Sequence, residues 1–200
     1  TSSFSFEDYF ALHAWQSDLY KPWQLITHMF LHGDFGHILG NMFALWMFGS
    51  ILENIWGPKR FLLFYMLCGL GAAVIHLAIL SYQLVPFANE YQQLLLLSKI
   101  HSPAFSDAVF NFSTKHHIPL TQILADNKVN LSTPGIAPSL MELITSYYTK
   151  MVDTATLGAS GAVFGILIAF VYLFPNTYIY IYFLFPIKAK WLGILYFGFE

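Results

Sequence analysis

Two stretches limit what this chain can fold into. From Phe35 to Trp56, and again from Phe61 to Leu80, the sequence is apolar for about the length of a bilayer-spanning helix. The first run carries its chief polar residues near its ends, His37 and Asn41 at the start and Glu53 and Asn54 at the far end. His76 alone interrupts the second. The composition agrees: 10% of residues are charged and the mean hydropathy is +0.56, against about 25% charged in a soluble domain. These features predict an all-α fold, a polytopic membrane helical bundle. A net charge of −2 with no basic cluster gives no footing for nucleic acid. Cys68, the lone cysteine, forms no internal disulfide and reads as a small buried hydrophobe. We expect no signal peptide, and the sequence opens at Thr1 and stops at Glu200 inside an apolar segment that begins at Trp191. We therefore expect an incomplete bundle, a fragment cut at both ends.

Thr1 to Lys21 is aromatic but too polar to span, and suits the membrane–water interface. His32-Gly33-Asp34 makes a turn, and Asp34 is a good N-cap for a helix over Phe35–Trp56. His37 and Asn41 are four apart and share one face of it. Gly57-Pro58-Lys59-Arg60 is a tight turn before the second span, in which Gly69 and Gly71 allow close packing. Residues 82–156 hold five prolines and much of the charge. They read as a long extracytoplasmic insertion, a loop or small cap, with short helices over Glu90–Ile100 and Leu140–Val152. Lys59 with Arg60, and Lys188 with Lys190, sit in short loops without acidic residues, so the positive-inside rule puts both loops in the cytoplasm.

A third apolar run, Ala162 to Phe174, is headed by Gly158-Ala159-Ser160-Gly161. A helix from Ser160 to Phe174 would be only about 22 Å long. If its far end reaches the opposite face, Ser160 sits below the membrane surface and irregular backbone precedes it. Such backbone is tolerated only beside protein or a wet cavity. With the topology above, Ser160 comes to the same external depth as His37 and Asn41. A serine hydroxyl can attack a carbonyl, and free helix-start N–H groups, an imidazole and a carboxamide can hold the developing oxyanion. A plainer reading stands beside this one: Gly161 and Gly165 form a small-xxx-small motif that packs helices, and the serine merely caps. His28, His32 and His37 raise a metal reading, but their spacing matches no compact zinc pattern. His13 and His76 read as structural, and His101, His116 and His117 as solvated.

His32-Gly-Asp-Phe-Gly-His37-Ile-Leu-Gly-Asn41 and Gly158-Ala-Ser160-Gly161 together resemble the rhomboid intramembrane serine proteases, whose pattern is H-x4-H-x3-N on the second helix and G-x-S-G opening the fourth. The resemblance covers Trp23 to Phe174 apart from the insertion. It implies a six-helix core of which this chain holds helices two to four and the start of five, without the first and sixth. It implies that Ser160 is the nucleophile, and that His37, Asn41 and the Ser160 backbone N–H form the oxyanion hole. His32, Gly158, Gly161 and Phe164 would support the site, and Glu53 would tie to Arg60. Trp23 would belong to a membrane-embedded first loop. Gln24 stands where many members carry arginine, and Phe164 where some carry a tyrosine that stacks on the base. The family's base is a histidine on the sixth helix, so this stretch alone should be inactive. The implied partners are transmembrane protein substrates and the lipid bilayer, with no metal or cofactor. The implied site is a bacterial inner membrane, opening to the extracytoplasmic side. A rhomboid-like pseudoprotease that binds helices without cutting them is the alternative.

Overall fold

A computed structural model describes residues 5–126, 136–181 and 185–191. The chain is helical nearly throughout. In order come α1 (Phe6–Phe10), α2 (Gln24–Thr27) with a 3-10 turn (His28–Phe30), α3 (Phe35–Ala44), a π-helical segment (Leu45–Gly49), α4 (Ser50–Trp56) and α5 (Pro58–Lys99). Then follow α6 (Phe105–Lys115), α7 (Leu120–Asp126), α8 (Ala137–Val152), α9 (Ser160–Leu173), β1 (Tyr178–Ile181) and β2 (Phe185–Lys188). These elements fall into two compact units, one drawn from Thr1–His13, Leu19–Ala78 and Ala155–Glu200, the other from Ala14–Asp18 and Ile79–Thr154.

In the first unit, α3, the π segment and α4 run without a break from Phe35 to Trp56, as the sequence predicts. Asp34 caps this helix, its Oδ1 accepting from the His37 N–H at 2.8 Å. Phe48 and Leu52 bury against Ile166 and Phe170 of α9, with the Phe48 and Phe170 rings 4.9 Å apart. The outward residues are apolar and exposed. Phe35 is 78% exposed, Trp46 70% and Ile75 62%. Apolar side chains turned outward along helices of spanning length face lipid rather than water. The first helix and the opening half of α5 are long and apolar enough to cross a membrane.

Two regions differ from expectation. Helix α5 does not end near Leu80 but runs on through Pro86 to Lys99. Proline loses one helical hydrogen bond. That loss is offset because Leu84, Phe87, Tyr91 and Leu94 recur on one face and bury in the second unit's core with Val109, Phe112, Leu140 and Ile144. Within residues 82–156, helix covers most of Glu90–Ile100 and all of Leu140–Val152, where short helices were expected. These residues hold the end of α5 together with α6, α7 and α8 around a hydrophobic core of their own. Tyr91 stacks on Tyr148 at 4.0 Å. His116, expected to be solvated, packs edge-on against Phe87 and places Nε2 2.8 Å from Glu90 Oε2, where Lys115 also pairs. Burial works to raise the Glu90 carboxyl. The hydrogen bonds from Lys115 and His116, with their charge, outweigh it and hold the group below the ordinary carboxylate range. The second difference is the connector after α9, which forms an antiparallel pair with Tyr178 opposite Lys188 and Ile179 opposite Ile187. The span expected from Trp191 onward lies outside the described residues beyond Trp191 itself.

Several contacts tie down the start of the chain, and Gln24 makes the most of them. Gln24 is fully buried. Its Oε1 accepts from the N–H groups of Lys21 and His13, and its Nε2 donates to the carbonyl oxygens of Leu19, Asp8 and Tyr9.

Candidate active site

Helix α9 begins at Ser160 after a segment of extended and turn backbone. No side chain caps it: Ala159 stands at the N-cap and makes no side-chain hydrogen bond. The first N–H groups of the helix are therefore open, with the positive end of the helix dipole beside them. Ser160 is exposed, and among the described residues its hydroxyl has no hydrogen-bond partner.

The segment leading to it is tied down. Leu12 and Thr156 exchange both backbone hydrogen bonds, at 2.9 and 2.8 Å. The Gly158 N–H donates to the His28 carbonyl at 2.9 Å. Gly158 has φ +121°, a conformation open to glycine but strained for other residues. It is needed for space as well. A Cβ built there would stand 2.7 Å from His37 Cε1 and 2.8 Å from its Nε2. The His37 imidazole therefore lies directly against the backbone two residues before Ser160. Phe164, one turn into α9, is half-buried.

On α3, His37 and Asn41 share a face. Asn41 is buried, yet its Nδ2 has no hydrogen-bond partner. A buried amide donor left unpaired costs about 1–3 kcal/mol. His32 likewise has a buried Nε2 without a partner, and its ring meets that of His37 edge-on at 5.2 Å. Three polar side chains of the sequence motif are thus gathered at the start of one apolar helix, two of them with orphaned nitrogens.

Ser160 also faces a cavity of about 150 Å³ on its α5 side, lined by His28, His76, Thr156 and Gly158 among others. His28, a metal candidate in the sequence, is buried and donates Nδ1–H to the Gln24 carbonyl at 2.8 Å. His76, expected to be structural, places Nε2 2.8 Å from Thr156 Oγ1. Sequence reasoning missed Gln24, Thr156 and His76 as parts of this surround; the one available signal was a lone imidazole inside an apolar run. The expected tie between Glu53 and Arg60 is absent: both are exposed and no ion pair joins them. Among the described residues, no three His, Cys, Asp or Glu side chains gather in a way that could hold a metal ion.

Long apolar helices, joined by a shorter apolar helix that opens on a serine, define a helical membrane bundle. The Rhomboid domain family matches residues 20–88 and 129–199, and the chain belongs to that family. Residues 89–128 fall between the matched segments. Over 174 residues, 87% of this chain and 36% of the relative, it is 27% identical to "RHOMBOID-like protein 12, mitochondrial" of Arabidopsis thaliana. Over 173 residues, 84% of this chain and 39% of the relative, it is 24% identical to an uncharacterized rhomboid protein of Schizosaccharomyces pombe that is mitochondrial by name. A shorter match, 36% identical over 52 residues, joins 26% of this chain to 10% of the rhomboid protease GluP of Bacillus subtilis. The chain thus spans little more than a third of the first two relatives. No solved structure matches it.

Proposed function

We propose that the full-length protein is an intramembrane serine endopeptidase, cleaving peptide bonds in or near transmembrane segments of membrane protein substrates. One observation carries this reading: the buried, unpartnered carboxamide N–H group of Asn41. Packing gives no reason to leave such a donor orphaned, whereas an oxyanion formed during the reaction would satisfy it.

In this mechanism Ser160 Oγ attacks the substrate carbonyl carbon. Its proton passes to a base, which the resemblance to rhomboids assigns to a histidine on the family's sixth helix. The carbonyl oxygen, now anionic, is held by Asn41, His37 and the helix-start N–H of Ser160. Collapse breaks the C–N bond, and the base returns the proton to the departing amine. An ester to Ser160 remains. Water then adds to the ester, releasing a carboxylate and restoring the hydroxyl. Gly158 and Gly161 keep the backbone close enough for this geometry, His32 supports the mouth of the site, and Phe164 supplies a ring beneath the base. We further propose that residues 82–156 stand outside the membrane as an insertion. The two relatives covering most of this chain are mitochondrial by name, which weighs against the bacterial inner membrane expected from the sequence. Microscopy of the tagged protein in its own cells decides the compartment.

The test is covalent labelling of the full-length protein by a fluorophosphonate probe. Wild type is expected to label, and Ser160→Ala is not. An unlabelled wild type would favour the pseudoprotease that binds helices without cleaving them.

A further inference from the structure

We infer that His76 is a positioning residue for Ser160, acting through the Thr156 hydroxyl; this rests on the protease reading above. Helix α5 meets the serine segment through residues spaced by four: Cys68 at Gly165, Ala72 at Gly161 and His76 at Thr156. Residues so spaced lie on one helix face. The first two contacts leave no room for a side chain on α9. A Cβ on Gly161 would stand 2.5 Å from Ala72 Cβ, and one on Gly165 would stand 2.7 Å from Cys68 Cβ. They seat α9 on α5.

The third contact falls where α9 no longer exists. Ahead of Ser160 the chain is not helical, and Thr156 pairs with Leu12. At this level a small residue on α5 would leave a gap, and here α5 carries an imidazole. Its Nε2 reaches Thr156 Oγ1 at 2.8 Å. The four-residue step between Thr156 and Ser160 is therefore anchored at both ends from one helix, by glycine contact at Gly161 and by hydrogen bond at Thr156. The Gly158 N–H bond to the His28 carbonyl holds its middle. His76, Thr156 and Ser160 also line the same cavity. An exposed imidazole inside a spanning apolar run is costly, and this bond gives it a task. His76 acts on Ser160 only through the segment, so it sets where the hydroxyl points rather than entering the chemistry.

The experiment uses full-length protein in proteoliposomes. It measures the rate of Ser160 labelling by a fluorophosphonate probe, and kcat and KM on a transmembrane substrate. His76→Ala and Thr156→Val should each slow labelling and kcat about tenfold, since small misplacements of a nucleophile are strongly felt. KM should change less than about twofold, because binding does not use this bond. His76→Gln, whose amide reaches the same hydroxyl, should recover most of the rate. The double variant should be no slower than either single one, because they share one interaction. Thr156→Val keeps the side-chain shape, so it reports even if His76→Ala fails to fold. Wild-type rates in both Thr156→Val and His76→Gln/Thr156→Val would overturn the inference and leave the protease reading standing. So would a loss that tracks folded protein and is not rescued by Gln. A wild type that never labels at Ser160 overturns both.

Discussion

Gly165→Ala tests the seam that seats the serine helix. The added Cβ would lie 2.7 Å from Cys68 Cβ, whereas carbon atoms rest at about 3.5–4.0 Å. The shortfall is about 1 Å, and although Cys68 Sγ can rotate aside, its Cβ is fixed to the α5 backbone. Helices α5 and α9 must separate there, and overpacking of this kind costs about 1–3 kcal/mol. The alanine also gains helix propensity, up to about 1 kcal/mol. The steric term is larger, and a net loss of about 1–2 kcal/mol follows. At about 2–4 °C per kcal/mol for a chain of this size, Tm should fall by roughly 2–8 °C. Thermal unfolding in detergent, followed by far-UV circular dichroism, measures it. Gly71→Ala is the control, since a Cβ there meets nothing within 4 Å; it should hold Tm or raise it. Cys68→Gly should recover stability in the Gly165→Ala background by moving the small residue to the other helix. If Gly165→Ala is as stable as Gly71→Ala, the close approach of α5 and α9 does not exist and the seam argument fails.

Asn41→Leu should separate activity from stability. It removes an orphaned buried donor, so Tm should not fall, yet kcat on a transmembrane substrate should drop about 10²–10³-fold; a lower Tm with intact kcat would reverse the assignment. Gln24→Leu strands the backbone groups that Gln24 now satisfies, and denaturation should show a loss of about 1–3 kcal/mol. Glu90→Gln removes a group whose carboxyl lies below its ordinary range. The stabilisation from Glu90 is therefore fully present above about pH 4.3 and lost as pH falls through the lower folded value. Its size is below about 1 kcal/mol, because the Lys115 side chain is 62% exposed and solvent screens the pair. Melting curves of wild type and Glu90→Gln should differ at pH 7 and converge in acid.

The spans, the Asp34 cap and the serine at a helix start were all legible, because each depends on short-range rules: apolar length, a capping side chain, glycine beside a turn. The path of α5 through Pro86 was not. Its continuation depends on Leu84, Phe87 and Tyr91 finding partners on α6 and α8, and no local pattern announces those partners. Gln24 and Thr156 were illegible for a related reason. A polar residue outside the long apolar runs looks like surface until the groups that surround it are known. His76 was visible as an oddity, but its partner lies 80 residues away.

Cleavage itself is the most direct measurement. Full-length protein and its Ser160→Ala variant are reconstituted in liposomes with a membrane protein substrate, and the new termini are followed by mass spectrometry. We predict a single cut at or near the substrate's transmembrane segment, made by the wild type and abolished in Ser160→Ala. Equal cleavage by both, or an intact substrate with a properly folded wild type, would contradict the account.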